Sequence, residues 1–470
     1  MAARKQKAGQ KRKRMPAKTV QDEDYQLRHE KVAGIDIAKA SGMICLRLPP
    51  EEGKDRRFSK VWETGATVPE IEELAGELKQ AGVELILMES ASDYWRVWFV
   101  TLEAAGLNVQ LVNASQARNL PGRPKTDKDD SQWIARLTEM GLLRPSFVPP
   151  PEIRALRQYT RRLVCLTRDR TRSWQRLEKL LEDALCKLTS VISKLAGSVS
   201  ARAMIEAMIA GERDPRVLAE MAQTRMRPKI PDLVKAFTGM RFGDQHAFAA
   251  ASLLREIDFA DAEIGALGKQ VTAHLATIPA AWGVDADGAT GPDAGLGPDA
   301  AVLPAAARLD QVTGLSLLSA AGIIAEIGLD MSRFPTPDAL VSWAGLAPVA
   351  VQSGPRKSRG KKGHGNTYAK RIAVLAACAA ANTDTFLGER FRRLAARPGG
   401  GGRKKAGCAV GRSILVIVWH LLNDRAARYR DLGSGWHARH TDRSRKARNA
   451  RRQLEALGYD VIITLREDAA

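Results

Sequence analysis

The sequence is poor in cysteine and has no long hydrophobic run. Its five cysteines are odd in number, lie far apart and form no CxxC pair, which excludes a disulfide scaffold and a zinc finger. The longest apolar runs, 372–381 and 414–422, are far shorter than the about 20 residues that cross a bilayer. The N-terminus shows no apolar region of a signal peptide. We therefore expect no transmembrane segment, and reduced thiols in a cytoplasm.

Aromatic residues are also scarce, and acidic residues are outnumbered by basic ones. Aromatics make up only 5% of the chain, so stacking on single-stranded nucleic acid is not its main signal. Lys and Arg number 73 against 53 Asp and Glu, which gives a net charge of +20 and points to a polyanionic partner. A hydrophobic content of 44% excludes a wholly disordered chain. At about 150 residues per domain, 470 residues suggest roughly three domains.

The first third of the chain changes abruptly in character. Residues 1–29 are predicted to be a disordered basic arm, because the first 18 contain eight Lys and Arg and no acid. Over 30–148, short apolar runs alternate with helical patterns, which predicts an α/β domain. The expected order is strands at VAGIDI, GMICLRL and 58–62, a helix from Pro69, a strand at ELILMES, a helix from Asp93 and a strand at NVQLVN.

The remainder is mostly helical in pattern. Residues 149–283 are predicted to be a helical or coiled-coil region, because apolar residues recur every three or four positions, close to a heptad seam. This seam comprises Leu177, Leu181, Leu185, Leu188, Ile192 and Leu195. A coiled coil and one long core helix both remain open. Residues 284–301, rich in Gly, Asp and Pro, are expected to be a flexible linker. A mostly α domain over 302–430 and a basic tail over 431–470 follow.

Four carboxylates suggest a metal site. Asp36 lies inside an apolar strand, where a lone carboxylate would be costly to bury. Glu89 ends a second strand, and the carboxyl ends of parallel strands are where α/β folds place chemistry. Asp127 and Asp130 share one face of the first turn of a helix. Together they could hold two Mg²⁺ ions about 4 Å apart. Alternatively, the last two are ordinary helix N-terminal acids and Glu89 an ordinary strand end.

A serine and a cationic loop form the second candidate site. Ser353 precedes Gly354, and an adjacent glycine with nearby cations would let a phosphodiester approach its hydroxyl. From composition alone, the simpler interpretation is a Ser-Gly-Pro turn. Gly314 is expected in a hairpin between two helices, where backbone amides can touch phosphate. The cations of the loop are Arg356, Lys357, Arg359, Lys361, Lys362 and His364.

These motifs resemble one family. GIDIAK, the glutamate of ILMES and KTDKDD are similar to the RuvC-like DEDD domain of the insertion-sequence transposases described as bridge-RNA-guided serine recombinases. VTGLSLLSAAGIIAEIG and SRFPTPDALVSWAGLAPVAVQSG resemble that family's C-terminal transposase domain. The resemblance implies a RuvC-like (RNase H-like) N-terminal domain and metal binding by Asp36, Glu89, Asp127 and Asp130. It also implies that Ser353 becomes covalently joined to DNA.

The sequence departs from the family pattern in two places. Thr313 and Ser316 stand where the family usually has Pro and a second glycine, and the stretch GKKGHGN is one residue shorter than usual. Ser358 and Ser342 are weaker candidates for the nucleophile. The phosphate-binding residues are expected to be Gly314, Gly354, Arg356, Lys357, Arg359, Lys361 and Lys362.

The resemblance also implies partners. These are donor and target DNA, a structured guide RNA, and further copies of the chain in a dimer or tetramer, in the nucleoid of a bacterial cytoplasm. In this arrangement the RuvC-like domain of one subunit completes a site with the serine domain of another. A metal-only nuclease or Holliday-junction resolvase is the rival enzyme hypothesis. A basic scaffold without catalytic activity is the third.

Overall fold

The computed structural model describes most of the chain, in two compact units, Met1–Val148 and Pro149–Ala470. The described residues are 27–50, 57–90, 92–113, 127–297, 299–348, 350–353, 356–359, 365–397, 402–440 and 443–464. For 127–129, 350–353, 356–359 and 443–446 the description covers the backbone alone. The predicted basic arm, except for residues 27–29, lies outside the described residues.

The N-terminal unit is a five-stranded mixed sheet with helices, as the sequence predicts. The strands lie in the order β3-β2-β1-β4-β5. The antiparallel β1, β2 and β3 form a meander, and β4 and β5 add to the other side of β1 in parallel. The elements are β1 (Val32–Ile37), β2 (Ser41–Leu48), β3 (Phe58–Gly65), α1 (Val68–Gln80), β4 (Leu85–Glu89), α2 (Trp95–Ala104), β5 (Val109–Val112) and α3 (Asp127–Glu139).

The alternation of strand residues assigns the two faces of this sheet. Ala33, Ile35 and Ile37 of β1 belong to the main core with residues of α1 and α2, such as Leu74 and Trp98. The residues between them, at 32, 34 and 36, point to the opposite face, because side chains alternate along a strand. On that face, buried residues of the sheet pack against Ile134 and Ala135 of α3. Helix α3 therefore covers the second face of the sheet.

The second unit is mostly helical, as predicted for the C-terminal part of the chain. Its helices are α4 (Pro151–Asp183), α5 (Leu188–Val191), α6 (Val199–Ile209), α7 (Pro215–Glu220), α8 (Ile230–Phe237), α9 (Asp244–Ala276), α10 (Ala305–Asp310), α11 (Leu317–Ile327), α12 (Pro337–Trp343), α13 (Thr367–Ala380), α14 (Phe386–Ala395), α15 (Gly402–Asn423), α16 (Trp436–Arg439) and α17 (Arg443–Glu455). It also contains short β strands: β6 (Gly283–Val284), β7 (Thr290–Gly291), β8 (Ala350–Ser353) and β9 (Arg356–Arg359).

The two longest helices, α4 and α9, run antiparallel to each other. His274 near the end of α9 approaches the carbonyl of Glu152 at the start of α4, with 2.8 Å between Nε2 and oxygen. Near the other end, Ser173 of α4 donates a hydrogen bond to Glu256 of α9. At 33 residues each, both helices are about 50 Å long. The pair links the C-terminal core to a second core built around residues 177–257.

The predicted heptad seam is not one continuous helix. Helix α4 ends at Asp183, and Leu185 has a left-handed φ of 55° and is 51% exposed. The later seam residues Leu188, Ile192 and Leu195 are buried in the second core, beyond the turn. The chain folds back here because the following helices supply an apolar surface that Leu188 and its neighbours can bury. The seam residues therefore do not lie on one helix, so the prediction of one long core helix is wrong, and the coiled coil is not confirmed.

The segment expected as a flexible linker, 284–301, has regular contacts where it is described. Strands β6 and β7 pair with each other, and Val284 exchanges two backbone hydrogen bonds with Val302. Gly295 has a φ of 78°, and a Cβ there would lie 2.2 Å from the Val302 carbonyl oxygen. The glycines thus serve close backbone packing in this segment, which the composition alone does not distinguish from a linker.

Helix α15 is long and apolar enough, by length and composition only, to cross a membrane. Its buried residues include Val410, Ile414, Val418 and Leu422, and all four belong to the C-terminal core. It begins with Arg403, Lys404 and Lys405. This burial is typical of a core helix.

A buried carboxylate joins α4 to α11. Glu326 is only 1% exposed, and its two oxygens accept hydrogen bonds from Arg161 at 2.8 and 2.9 Å. Arg157, one turn earlier, donates to the carbonyls of Ala325 and Glu326 at 2.9 and 2.8 Å. A bidentate pair with additional hydrogen bonds is the arrangement in which a buried charge is best tolerated.

Replacing Glu326 by alanine should destabilise the protein by about 3 to 5 kcal/mol, because the arginines would be left without their buried partner. The matched control is Arg172→Ala, whose partner Asp169 is exposed and whose loss should cost less than about 1 kcal/mol. The measurement is the thermal unfolding of the full chain. Equal shifts of the unfolding midpoint in the two variants would contradict this role of Glu326.

Candidate functional site

Two of the predicted acids occupy equivalent positions on neighbouring strands. In the parallel pair of β1 and β4, Ile35 lies opposite Met88, and the next residues are Asp36 and Glu89. Both therefore lie at the carboxyl ends of adjacent strands and point to the same face, the one that α3 covers. Glu89 is 5% exposed and Asp36 is partly buried. The sheet thus brings together two carboxylates that are 53 residues apart in the sequence.

A glycine lets α3 approach this face closely. A Cβ on Gly34 would lie 2.5 Å from the backbone nitrogen of Ala135 and 2.6 Å from the carbonyl oxygen of Ser131. Real side chains do not tolerate such distances, so the helix backbone rests directly on β1 only because residue 34 is glycine. Gly34 lies on the same strand face as Asp36, two residues before it.

An ion-pair cluster fixes the direction of α3. The carboxylate of Glu139, at the end of α3, lies 2.8 Å from Nε of Arg57 and 2.9 Å from Nε of Arg47. Arg47 pairs with Val32 at the start of β1. The end of α3 therefore lies at the start of β1, and the beginning of α3 lies toward the end of β1. The first turn of α3, which carries Asp127 and Asp130, is directed toward Asp36 and Glu89.

The chemistry of this donor set fits a hard divalent cation. Carboxylate oxygens are the ligands of Mg²⁺ in sites that bind phosphates. Among the side chains that the structure describes, no three Asp, Glu, His or Cys residues are grouped closely enough to hold a metal ion. The side chain of Asp127 is not among them, whereas that of Asp130 is described and partly buried. The four-acid metal site stays a prediction.

The candidate nucleophile lies on a β-hairpin. Strand β8 ends at Ser353 and β9 begins at Arg356, and these two residues are paired across the hairpin. Ser358, a weaker candidate, pairs with Val351. Ser342, another weaker candidate, lies on α12. Gly354, Lys361, Lys362 and His364 lie outside the described residues.

The loop that contains this hairpin is joined at its base. A Cβ on Gly365 would lie 2.2 Å from the backbone nitrogen of Gly345, and the Asn366 amide donates to the carbonyl of Trp343 at 3.2 Å. The residues that flank this segment, Gly345 and Gly365, are therefore in close contact. Asn366 caps α13 by accepting from the amides of Tyr368 and Ala369.

Asn366 also connects the loop to the buried Glu326. Its side-chain amide donates to a Glu326 oxygen at 2.6 Å. Arg161, the bidentate partner of Glu326, stacks on Tyr368 at 4.4 Å from the ring centroid. The carboxylate of Glu326 thus connects α4, α11 and α13 to Asn366, which lies at the base of the loop that carries Ser353 (the serine loop).

Gly314 has a packing role in the structure. It lies between α10 and α11 with a φ of 93°, and a Cβ there would lie 2.1 Å from the carbonyl oxygen of Ala376 in α13. Ser316, at the position where the family pattern has a glycine, caps α11 by accepting from the Ser319 amide. A contact between Gly314 and phosphate stays a prediction.

Sequence reasoning missed Gly34, Glu139 and Glu326 as residues that position the site. Signals for two of them were present. A glycine inside the apolar strand VAGIDI marks a close approach of another backbone. A single carboxylate in the apolar stretch GIIAEIG requires a buried partner. The partner of Glu139 could not be identified from sequence, because Arg47 and Arg57 lie on distant segments.

Comparison with known proteins matches two parts of the chain to transposase families. A family profile described as "Transposase", for the DEDD domain of the IS110 family, matches residues 33–185. A second, described as "Transposase IS116/IS110/IS902 family", matches residues 306–391. The chain carries the transposase domains of the IS110 family. The first match includes all four predicted acids, and the second includes Gly314, Ser353 and the cationic loop of the transposase.

Solved structures and curated proteins add little to this identification. Thermus thermophilus RuvC is similar at 16% identity and a TM-score of 0.19, over 25% of this chain and 99% of that one. RuvC of the same organism in complex with a Holliday junction substrate has 18% identity and the same TM-score, over 25% and 100% of the two chains. At that TM-score the similarity carries no argument about the fold. No curated protein matches the chain.

The close approach at Gly34 yields a prediction. Gly34→Ala should push α3 from β1, cost about 1 to 3 kcal/mol of stability and lower DNA cleavage by the transposase about 100-fold, because misplacing a positioned group by about 1 Å has that effect. The control is Gly76→Ala in α1, where no atom lies within 4 Å of the added carbon. Unfolding midpoints and cleavage of a plasmid carrying the insertion sequence are measured. Cleavage by Gly34→Ala at the control's rate would contradict the prediction.

Proposed function

We propose that this transposase mobilises an insertion sequence by cutting and rejoining DNA strands with two sites. One is a Mg²⁺ site formed by Asp36, Glu89, Asp127 and Asp130, and the other is the nucleophile Ser353. The observation that carries the proposal is the equivalent placement of Asp36 and Glu89 on β1 and β4, beneath the first turn of α3. The resemblance of GIDIAK, ILMES and KTDKDD to a RuvC-like DEDD domain supports the choice of these four acids.

The carboxylates would act by holding and orienting the DNA phosphate that reacts. Bound Mg²⁺ would neutralise charge that develops on the phosphate oxygens. The negative charge of the four acids would attract divalent cations to this end of the sheet. The attraction would be strong at Glu89, because this residue is buried where the dielectric constant is lower than in water. Gly34 and Glu139 would act indirectly, by keeping α3 and its acids over the strand ends.

Ser353 would carry the covalent step. Its oxygen attacks a phosphodiester and loses its proton, a Ser-O-P bond forms, and a P-O bond to one deoxyribose breaks. The released sugar oxygen takes up a proton. The phosphoserine ester conserves the energy of the broken bond, so the strand can be rejoined without an external energy source. Arg356, the residue paired with Ser353 in the backbone register, would balance charge on the phosphate.

The alternative is a metal-only nuclease related to junction resolvases. In that case the four acids alone would activate water, Ser353 would be a turn residue, and no covalent intermediate would form. The match of residues 306–391 to a transposase family favours the first proposal, because a metal-only nuclease does not need this second domain.

The partners follow from the same resemblance. We propose donor and target DNA, a structured guide RNA encoded by the element, and a dimer or tetramer in which one subunit's acids act with another's serine. The net charge of +20 supports a polyanionic partner. All five cysteines are free, which supports a reducing compartment such as a bacterial cytoplasm. We propose a location with the nucleoid because the proposed partner is DNA.

The metal site is tested by charge removal. Asp36→Asn, Glu89→Gln and Asp127→Asn should each abolish strand cleavage in Mg²⁺, since each removes a negative charge from the cation site, while DNA binding largely survives. Glu63→Gln, an exposed acid on β3, is the control and should cleave normally. Cleavage is measured with and without EDTA. Normal cleavage by Asp36→Asn, or by the unmodified protein in EDTA, would overturn the metal assignment.

The nucleophile is tested by looking for the covalent intermediate. Ser353→Ala should eliminate both recombination and any protein-DNA species that survives denaturing electrophoresis. Ser358→Ala, on the opposite strand of the same hairpin, should keep a detectable species. Mass spectrometry of the trapped peptide then locates the DNA remnant. A remnant on another residue would move the nucleophile, and no remnant in an active protein would favour the metal-only nuclease.

A further inference from the structure

The surface formed by α14, α15 and α16 has a large excess of positive charge. Between residues 386 and 412 there are eight Lys and Arg and one acid, Glu389. Glu389 lies 3.5 Å from Arg392, and Arg392 also donates to the carbonyls of Ala381 and Thr383. The only carboxylate of this stretch is therefore already engaged by an arginine with a structural role.

Several of the remaining cations converge. Arg390 on α14 has a buried Nε without a hydrogen-bond partner among the described residues. A terminal nitrogen of Arg393 lies 3.4 Å from Nε2 of His437 on α16. Burial, and then the charges of Arg393 and Arg412, lower the pKa of Arg390. Burial and the charges of Arg393 and Arg390 likewise lower the pKa of His437. Burial is the larger cause of both shifts, and the neighbouring arginines add to it, although Arg412 is itself paired with Asp338 at 2.8 Å.

The first turn of α15 adds to this positive potential. It carries Arg403, Lys404 and Lys405, all exposed, and no acid. The start of a helix has a partial positive charge and favours anions, so three cations there are unfavourable for folding alone. Arg403 lies over the ring of Phe391, 5.4 Å from its centroid, which places it beside α14. An anion bound between α14 and α15 would relieve the repulsion.

The aromatic residues nearby indicate which part of a nucleic acid is contacted. Phe391 is 1% exposed, and Phe386 pairs edge to face with Trp436 at 5.3 Å between centroids and stacks on His437 at 4.9 Å. These rings are engaged within the fold, so they offer no free platform for stacked bases. Charge without such platforms favours contact with the phosphate backbone of a duplex.

We propose that Arg390, Arg393, Arg403, Lys404, Lys405 and His437 form a binding surface for the phosphate backbone of duplex DNA. The choice of DNA rests on the proposed transposase function. The contact would be independent of base sequence, so the surface would position the duplex without selecting its site.

The test measures DNA binding in EDTA, so that no chemistry is required. The variant Arg393→Gln/Lys404→Gln/Lys405→Gln removes three exposed cations in the full chain. Its control, Arg216→Gln/Arg225→Gln/Lys235→Gln, removes three exposed cations from the middle of the chain. Binding of a random-sequence DNA duplex is followed over a range of salt concentrations. The slope of log affinity against log salt should become shallower by about 3 in the variant and by less than about 1 in the control.

Two results would overturn the proposal. One is an equal change of slope in variant and control at unchanged unfolding midpoints. The other is a loss of affinity for an RNA duplex of the same length with unchanged affinity for DNA, which would assign the surface to RNA. Because neither measurement depends on cleavage or on a covalent intermediate, failure here is distinguishable from failure of the proposed Mg²⁺ and serine chemistry.

Discussion

The contact between the backbones of α3 and β1 at Gly34 determines the geometry of the acidic site. A side chain at position 34 would place its Cβ only 2.5 Å from the backbone nitrogen of Ala135, so the position admits only glycine. The helix therefore lies as close to the sheet as its own backbone permits. This contact sets how closely the backbone of α3 approaches the strand that carries Asp36. Glu139 then fixes which end of the helix lies over Asp36, through its ion pairs with Arg47 and Arg57.

In each unit of the chain, a buried carboxylate holds neighbouring elements together through ion pairs with arginines. Glu139 is 2% exposed and Glu326 is 1% exposed, and each is met by two arginines from other elements. Such pairs contribute little net stability over an apolar core, but they accept only one arrangement of the helices. In the first unit, Glu139 positions α3, the helix that carries two of the predicted acids. In the second, Glu326 holds Asn366, at the base of the loop that carries Ser353.

The sequence predicts local structure here better than it predicts where the chain turns back. All five strands of the first sheet and its first two helices occur where apolar runs and helical patterns place them, because a half-buried sheet imposes a period of two. The leucine spacing after residue 177 continues past the end of α4 at Asp183. The leucines before and after the turn are buried in the same second core, so their spacing does not show where the helix ends. The Gly-rich segment 284–301 has a linker's composition, yet its glycines allow close backbone packing.

The candidate site divides in the same way. Asp36 could be found because a carboxylate in an apolar strand is costly, and Glu89 because it ends a strand. Their pairing in register, and the role of Gly34, depend on which strands become neighbours and on how α3 crosses the sheet. Contacts between distant parts of the chain determine the strand pairing and the path of α3, so neither can be predicted from a local sequence pattern. The cations of α14 and α15 were visible in the sequence as charge, but their convergence with His437 required the fold.

The central claim is that α3 completes a cation site at the ends of β1 and β4. The most direct measurement is a crystal structure of the full chain in saturating Mn²⁺, with the metal located by its anomalous scattering. The account predicts metal bound by Asp36, Glu89 and acids of the first turn of α3, and loss of that metal in Gly34→Ala. Ordered Mn²⁺ elsewhere, with none at these carboxylates, would contradict it.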